Sequence, residues 1–504
     1  MRIVFRVDAS QEIGWGHAMR CVALADAYAS RGASVGFISA SWPDPLHRLI
    51  VARRFDFQRL PQFDAVDWKS DAEATIFALK SEKKSVDWFV VDHYQLDHRW
   101  EEYVANGGMG LFVIDDLANR PHACAALLDQ TLDRVPAEYA QIVPPMCKLL
   151  LGSQYALLRP QFLRARAAAL ARRDSVQRIE RILVSLGATD VRKLMPTILA
   201  GIASSGMRIA VDLMVGVEGG DWGVLLHEFR SRVGSLNVIV GTEDVADVMT
   251  RADLAIGAAG TSSWERCALG LPTLILTVAE NQHCVAESLV KAGAAEHLGL
   301  WSHVSPETIS TAINRLVDDT QALRTMSAKA ASICDGRGTD RVCLVLGQEA
   351  TATDERTVTL RLASAQDELC IYRWQADPRT RRFARNPSTP SLEEHSRWIE
   401  QSLIDPDRLL MILEHEGEPA GVLRLDATEG SDIREISIFV SPEKYRLGIA
   451  KAGLRLVNNL FPGWTIWAEV LPSNVASQRL FEGVGYERVG PTRYSRRPYY
   501  KAES

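Results

Sequence analysis

The sequence predicts an α/β protein: two doubly wound domains built on parallel sheets, followed by a smaller α+β domain. Three observations lead there. The 504 residues are several times the ~150 that serve as a prior for one domain. Over residues 1–345, short apolar runs without strict alternation recur between amphipathic stretches, as in parallel strands covered on both faces. Beyond a small, polar stretch at 347–355, the order of elements changes to strands separated by Gly-containing turns.

The first set of strands is expected at 3–7, 35–39, 88–91 and 111–114, with a helix over 18–30 that Gly32 stops. A basic, Ala-rich stretch at 164–173 reads as a linker, after which the pattern restarts. The second set falls at 182–185, 209–215, 238–240, 254–256 and 273–276. The expected domains are 1–163, 175–345 and 356–504, the first two facing a cleft. In the third, 409–414, 421–425 and 435–440 read as antiparallel strands. A helix (448–460), a strand (465–470), a helix (474–483) and a last strand follow.

Composition is ordinary for a soluble globular chain, at 47% hydrophobic and 24% charged, which excludes a disordered or low-complexity protein. The net charge of −6 gives no electrostatic reason to bind nucleic acid or an anionic membrane. Apolar runs such as 88–91 and 271–276 fall far short of the ~20 residues that span a bilayer. The opening Met1-Arg2-Ile3-Val4-Phe5 reads as a strand rather than an export signal. Eight cysteines without a CxxC pair read as reduced thiols of a cytoplasmic protein.

Ligands of open α/β sheets sit outside the carboxyl ends of the strands, and here those ends are polar. Strand one runs into Asp8 and then Gly14-Trp15-Gly16-His17; later strands end at Asp92-His93-Tyr94, Asp115-Asp116 and Gly187-Ala188-Thr189-Asp190. Another ends at Gly257-Ala258-Ala259-Gly260-Thr261-Ser262-Ser263, before a helix beginning near Trp264-Glu265. Small residues there expose N–H groups to a diphosphate, and Glu265 is placed for ribose hydroxyls; the simpler reading is a tight turn and a cap. His17 follows two glycines at a helix start, where the dipole favours the neutral imidazole that can act as a base. A histidine in that position is otherwise a cap or surface residue. In the last domain, the amides of Leu447, Gly448, Ile449 and Ala450 follow a strand and could cradle a pyrophosphate, or simply start a capped helix. Asn474 and Ser477 lie at the next strand's end.

Taken together, these blocks resemble a family. Gly14-Trp15-Gly16-His17-x-x-Arg20-Cys21, Asp92-His93-Tyr94 and Asp115-Asp116-Leu117-Ala118-Asn119-Arg120-Pro121 are similar to motifs of the UDP-sugar hydrolases of pseudaminic acid biosynthesis. So are Tyr155-Ala156-Leu157-Leu158-Arg159-Pro160, Ser262-Ser263-Trp264-Glu265-Arg266-Cys267 and Ala279-Glu280-Asn281-Gln282, so that the resemblance spans 1–345. It implies a GT-B-like fold of two Rossmann-like domains, related to the glycosyltransferase that makes lipid II. The implied reaction is metal-independent, inverting removal of UDP from UDP-2,4-diacetamido-2,4,6-trideoxy-β-L-altropyranose. His17 and Asn281 match the catalytic positions. Asp190 and Gly260, Thr261, Ser262, Ser263 and Glu265 would hold UDP. Asp8, Gly14, Gly16, Arg20, Asp92, His93, Tyr94, Asp115, Tyr155 and Gln282 complete the expected substrate site. Ala188 and Thr189 depart from the Gly and Ser usual in that turn.

Residues 356–500 resemble the GNAT acetyltransferases, which bind acetyl-CoA in a V-shaped opening between two central strands. Val440, Arg446, Leu447, Gly448, Ile449, Ala450, Asn474 and Ser477 match the acetyl-CoA positions, and Arg373 and Trp374 those of the branch acting on amino sugars. Tyr445 stands where Gln or Arg is usual, and Phe481 where a tyrosine often protonates the thiolate, leaving Glu435, Ser437 or Tyr486 for proton transfer. The two resemblances imply a bifunctional enzyme. It would acetylate the 4-amine of a UDP-amino sugar with acetyl-CoA and hydrolyse UDP from the product. The alternatives are a GT-B glycosyltransferase using a UDP-amino sugar, or a hydrolase fused to a non-catalytic acetyl-CoA-binding domain. UDP-amino sugars are the expected partners, with no nucleic acid, membrane or metal.

Overall fold

The computed structural model describes residues 1–10, 13–62, 67–81, 85–105, 109–187, 194–215, 222–428 and 432–499. The chain forms two compact units: Arg2–Asp26 with Val35–Thr339, and Met1 with Ala27–Ser34 and Asp340–Ser504. The expected α/β class holds in the first unit and a mixed sheet occupies the second.

The first unit contains two sheets. The strands of the first are β1 (Arg2–Val7), β2 (Ser34–Ser39), β3 (Asp56–Arg59), β4 (Trp88–Asp92), β5 (Gly110–Ile114), β6 (Ala126–Asp129) and β7 (Lys148–Leu151). They lie in the order β3-β2-β1-β4-β5-β6-β7, and β1 pairs parallel with β4, β4 with β5, and so on to β7. The strand order reverses between β1 and β4, so a crevice opens at their carboxyl ends. The second sheet holds β8 (Arg181–Ser185), β9 (Ala210–Val215), β10 (Ser235–Val240), β11 (Leu254–Ala258), β12 (Thr273–Thr277) and β13 (Ala295–Leu300). Its order is β10-β9-β8-β11-β12-β13, parallel throughout. Strand β11 is buried along its whole length, as its near-continuous apolar run requires.

Two expectations change. The sequence reading misses β3, β6, β7 and β13; β3 (Asp-Phe-Gln-Arg) is a half-exposed edge strand and β6 and β7 have four residues each, too short for a periodicity to show. The basic stretch 164–173 is not a linker but part of the helix Pro160–Ser175. Alanine and arginine are strong helix formers. The arginines cap other elements' carbonyls: Arg166 donates to Ala268, Ala331 and Cys334 at 2.5, 2.7 and 2.9 Å. Burial likewise pushes Arg173 down to about 10 while it donates to the Met249 carbonyl at 2.7 Å.

In the second unit the sheet runs β14 (Ala350–Thr351), β15 (Thr357–Leu362), β16 (Arg408–His415), β17 (Glu418–Ala427), β18 (Ile433–Val440), β19 (Thr465–Glu469), β20 (Glu487–Arg488) and β21 (Arg493–Arg496) in the sequence. Its spatial order is β14-β15-β16-β17-β18-β19-β21-β20. Every pair is antiparallel except β18–β19, which is parallel and bonded only where Ile433–Glu435 meets Thr465–Trp467; beyond it the strands part. Strand β14 falls inside the stretch read as a linker, and Thr353 N–H donates to the Leu447 carbonyl at 2.9 Å. Gly32 does more than stop a helix: a Cβ there would lie 2.5 Å from Gly463 N, within the same unit.

One buried cluster sets a pH limit on the first unit. His122 Nδ1 bonds Glu101 at 2.7 Å, and its Nε2 lies 3.8 Å from Asp115, all three side chains without solvent exposure. Burial opposes the imidazolium, but the two carboxylates outweigh it and raise its pKa to about 9. A raised folded pKa stabilises fully below the unfolded value near 6.5 and is lost as pH climbs through about 9. We expect unfolding free energy to fall over that window, and His122→Gln to flatten the fall, in urea titrations at successive pH values.

Candidate active sites

The crevice of the first sheet is organised around Asp92, at the carboxyl end of β4 and 1% exposed. His17 is the second residue of the helix Gly16–Ala29 and its Nδ1 lies 2.5 Å from Asp92 Oδ1. Arg20, one turn on, donates from Nε to Oδ2 at 2.6 Å and from Nη2 to Oδ1 at 2.7 Å. Nη2 also lies 3.0 Å from His17 Nδ1. A guanidinium can only donate, so two assignments compete. If Nδ1 were the unprotonated nitrogen, its lone pair would face a carboxylate oxygen at 2.5 Å. Nδ1–H donating to Asp92 removes that repulsion and leaves the lone pair on Nε2. Burial would raise Asp92, but the Arg20 and His17 contacts hold it well below the usual carboxylate range.

The network extends to both halves of the unit. Arg20 Nη1 donates to Asp116 at 2.9 Å, the Tyr94 hydroxyl donates to the same carboxylate at 2.8 Å, and the His17 and Tyr94 rings meet edge to face at 4.6 Å. From the second half, Asn281 Nδ2 donates to the Tyr94 hydroxyl at 3.4 Å. The structure thus brings His17, through its ring, and Asn281, through its amide, onto one tyrosine. Burial and Asp116 together push the Tyr94 phenol up.

Other expected residues take quieter places. Asp8 accepts from Arg6, Ser39, Ala40, Ser41 and His93 Nε2 at 2.7–3.2 Å. His93 Nδ1 accepts from Gln95 N–H at 3.2 Å, so both residues are spent on holding the β1 and β4 loops. Asp115 is fully buried and accepts from Ala118, Arg120 and Tyr139, whereas the neighbouring Asp116, named at the same strand end but not among the expected substrate contacts, enters the network. Successive side chains at a strand end point to opposite faces.

Gly14 adopts φ +85°, a left-handed turn with open space around it, whereas a Cβ on Gly16 would lie 2.9 Å from Thr261 Oγ1, so Gly16 admits the loop from the second half. A cavity of about 30 Å³ there is lined by Gly16, Arg20, Gln130, Arg159, Thr261 and Glu265. Burial raises the Glu265 carboxyl, which Arg159 approaches at 3.4 Å. Beneath the loop Arg266 donates to Ala258 O, Ser263 Oγ and Ser262 Oγ at 2.7, 2.9 and 3.1 Å, and burial lowers it to about 10. Gly260 has Gln282 as its neighbour, whose Oε1 accepts from Val278 N–H at 3.1 Å. Tyr155 closes the 3-10 turn Ser153–Tyr155 ahead of Leu157–Arg159. Asp190, with Ala188 and Thr189, lies outside the described residues.

The second unit holds a cavity of about 770 Å³ between the parting strands. Val440, Arg446, Gly448, Ile449, Ala450, Asn474 and Ser477 line it; Leu447, Arg373 and Trp374 do not. Trp374 instead packs against the core of Ile371 and Ile399, and it is Gln375 of that helix that reaches the cavity. Gly448 adopts φ +80° against Thr353, and the amides of Gly448–Lys451 have no acceptor among the described residues. Asn474 Oδ1 accepts from Ser477 N–H at 3.1 Å as a helix cap. Glu435 and Ser437 face the cavity, Phe481 forms its wall, and Tyr486 is buried away from it beside Asn458. Arg385, which sequence reading missed despite four arginines in 379–385, bridges Glu435 and Glu469 where the strands part.

Among the described residues no group of three or more His, Cys, Asp or Glu is placed to hold a metal, and no helix is long and apolar enough to cross a membrane. All eight cysteines are free, Cys124 and Cys147 with sulfurs 3.6 Å apart. Removing the Asp92 charge leaves Arg20 short of its main partner, a loss that typically costs about 3–5 kcal/mol. Asp92→Ala should therefore lower urea-unfolding stability by roughly that amount, with exposed Asn281→Ala unchanged.

The Glycosyltransferase family 28 C-terminal domain matches residues 185–337, and the Acetyltransferase (GNAT) domain matches 357–487. The chain is 22% identical over 295 residues to UDP-2,4-diacetamido-2,4,6-trideoxy-beta-L-altropyranose hydrolase of Campylobacter jejuni, covering 58% of this chain and 97% of that one. It is 29% identical over 198 residues to spore coat polysaccharide biosynthesis protein SpsG of Bacillus subtilis, covering 39% of this chain and only 57% of that relative's length. Among solved structures, Acinetobacter baumannii MurG aligns at TM-score 0.50 and 15% identity, over 68% of this chain and 97% of that one, a likeness of fold. The chain is a homologue of the altropyranose hydrolase, with a glycosyltransferase family 28-like C-terminal domain followed by a GNAT domain.

Proposed function

We propose that this chain is a bifunctional enzyme of nonulosonic (pseudaminic) acid biosynthesis, a step toward sugars such as those on flagellin. Its first unit would hydrolyse UDP from UDP-2,4-diacetamido-2,4,6-trideoxy-β-L-altropyranose, and its GNAT domain would acetylate the 4-amine of the UDP-amino-sugar precursor. The observation that carries the hydrolase reading is His17 held by Asp92 through Nδ1, with Asn281 reaching Tyr94 beside it. Similarity to the Campylobacter hydrolase supports the same reading.

In this mechanism Nε2 of His17 takes a proton from water as its oxygen attacks the anomeric carbon. The bond from that carbon to the UDP oxygen breaks, UDP leaves with the bonding pair, and configuration inverts. Asn281 orients the reacting groups with its amide. The Thr261–Ser263 loop and Glu265 would meet the diphosphate and ribose, with Asp190 as a further UDP contact and no metal taking part. General-base assistance of this kind is worth ~10²–10⁴-fold.

The second unit fits acetyl-CoA: the strands part, the cavity is large, and the amides of Gly448–Lys451 lack acceptors among the described residues. Acetyl-CoA bound there supplies an acetyl group activated as a thioester. The amides with Arg446 would hold its pyrophosphate, and Glu435 would take a proton from the acceptor amine. Phe481 supplies no proton, and Tyr486 is buried out of reach. Joining two consecutive steps in one cytoplasmic chain raises the local concentration of the intermediate.

Two substitutions separate the activities. His17→Ala should cut UDP release ~10²–10⁴-fold with UDP affinity and CoA-thiol release retained. Gly448→Val, whose Cβ meets Thr353 N at 2.9 Å, should abolish CoA-thiol release and spare hydrolysis. Both are read by assaying free UDP and CoA thiol together on a panel of UDP-4-amino sugars with acetyl-CoA. UDP release should persist in EDTA and need no acceptor. Release only upon adding an acceptor would identify a glycosyltransferase instead.

A further inference from the structure

Arg20, expected at the substrate, is 3% exposed, lines only the edge of the small cavity beside Thr261, and turns three of its N–H groups to carboxylates inside the protein. Two go to Asp92, at 2.6 and 2.7 Å, and one to Asp116 at 2.9 Å. Its Nη2 stands 3.0 Å from His17 Nδ1, too close to be indifferent to the charge on that ring. We propose that Arg20 is a positioning residue that keeps the His17 imidazole neutral, and so keeps Nε2 available, by sharing the charge of Asp92. This rests on the reading of His17 as the base.

The physical need is specific. A carboxylate against an imidazole favours the imidazolium, typically by 1–3 pH units. An imidazolium has no lone pair with which to take a proton from water. Asp92 is nevertheless required, because only an acceptor at Nδ1 fixes the ring with its lone pair on Nε2. Arg20 resolves the conflict: it splits the carboxylate between two donors and sets a permanent cation beside the ring. The other groups facing this cluster are Cys21 on the same helix, Tyr94 after β4, Asp116 after β5 and neutral Asn281 from the second half. Of these Asp116 carries the opposing charge, drawing part of the guanidinium away from Asp92. Burial works against the guanidinium, but Asp92 and Asp116 together raise it well above its ordinary value, so it remains a cation.

The test is the pH dependence of UDP release in the full-length enzyme, paired with an NMR titration of the His17 ring. Arg20→Gln removes the charge, and both the acid limb and the ring's midpoint should move up by ~1–2 pH units. Arg20→Lys should leave them near the parent position. Asp116→Asn, a milder change should Arg20→Gln fail to fold, should move both down, because Arg20 then serves Asp92 alone. A limb and midpoint unmoved in Arg20→Gln, or in Asp116→Asn if only that variant folds, would overturn the proposal and leave Arg20 as scaffold. If the parent enzyme releases no UDP at any pH, the base reading falls, and the NMR midpoints still decide whether Arg20 sets the ring's charge.

Discussion

Asp92 carries a charge where no water reaches it, and the first unit is built to answer that charge. An ionised carboxylate in a protein interior costs several kcal/mol unless its oxygens are filled by good donors. Here the donors are His17 and Arg20, one helical turn apart on the helix that follows β1, so they reach the same carboxylate together. The strand-order reversal between β1 and β4 puts that helix start and the end of β4 side by side. Satisfying one buried charge therefore also fixes the ring, its tautomer and the direction of its free nitrogen. Asp116 and Tyr94 extend the arrangement to the next strand, and Asn281 joins it from the second half.

The second unit solves a different problem with backbone rather than charge. Strands β18 and β19 pair for three residues and then part, which leaves main-chain groups facing a cavity instead of a neighbour. Gly448, in a left-handed conformation against Thr353, turns the chain into a helix whose first amides have no acceptor among the described residues. With a net charge of −6 over the chain, anion binding falls to such amides and to local cations such as Arg446.

Much of this was legible from residues alone. The strand ends at Asp8, Asp92 and Asp115-Asp116 stand out as polar breaks in apolar runs, and the strands that carry them, β1, β4 and β5, lie side by side in the sheet. What could not be read was which of those carboxylates looks inward. Asp8, His93 and Asp115 spend their hydrogen bonds on neighbouring loops, while Asp116, indistinguishable from Asp115 in sequence, meets Arg20 and Tyr94. Likewise Arg373 and Trp374 match a motif but turn from the cavity that Gln375 lines. The stretch 164–173 looked like a linker because its charges are conspicuous; its helix is stabilised by carbonyls from residues over 75 positions away.

The sequence by itself determined the class of fold and the chemistry available at each strand end, because apolar periodicity and residue type are local properties. Only the tertiary structure decided how that chemistry is shared. Whether Arg20 meets a ligand or a buried carboxylate depends on Asp92, 72 residues away, and on burial that excludes water from both. The strength of an ionic hydrogen bond is set by its surroundings, and those surroundings exist only once the strands are side by side.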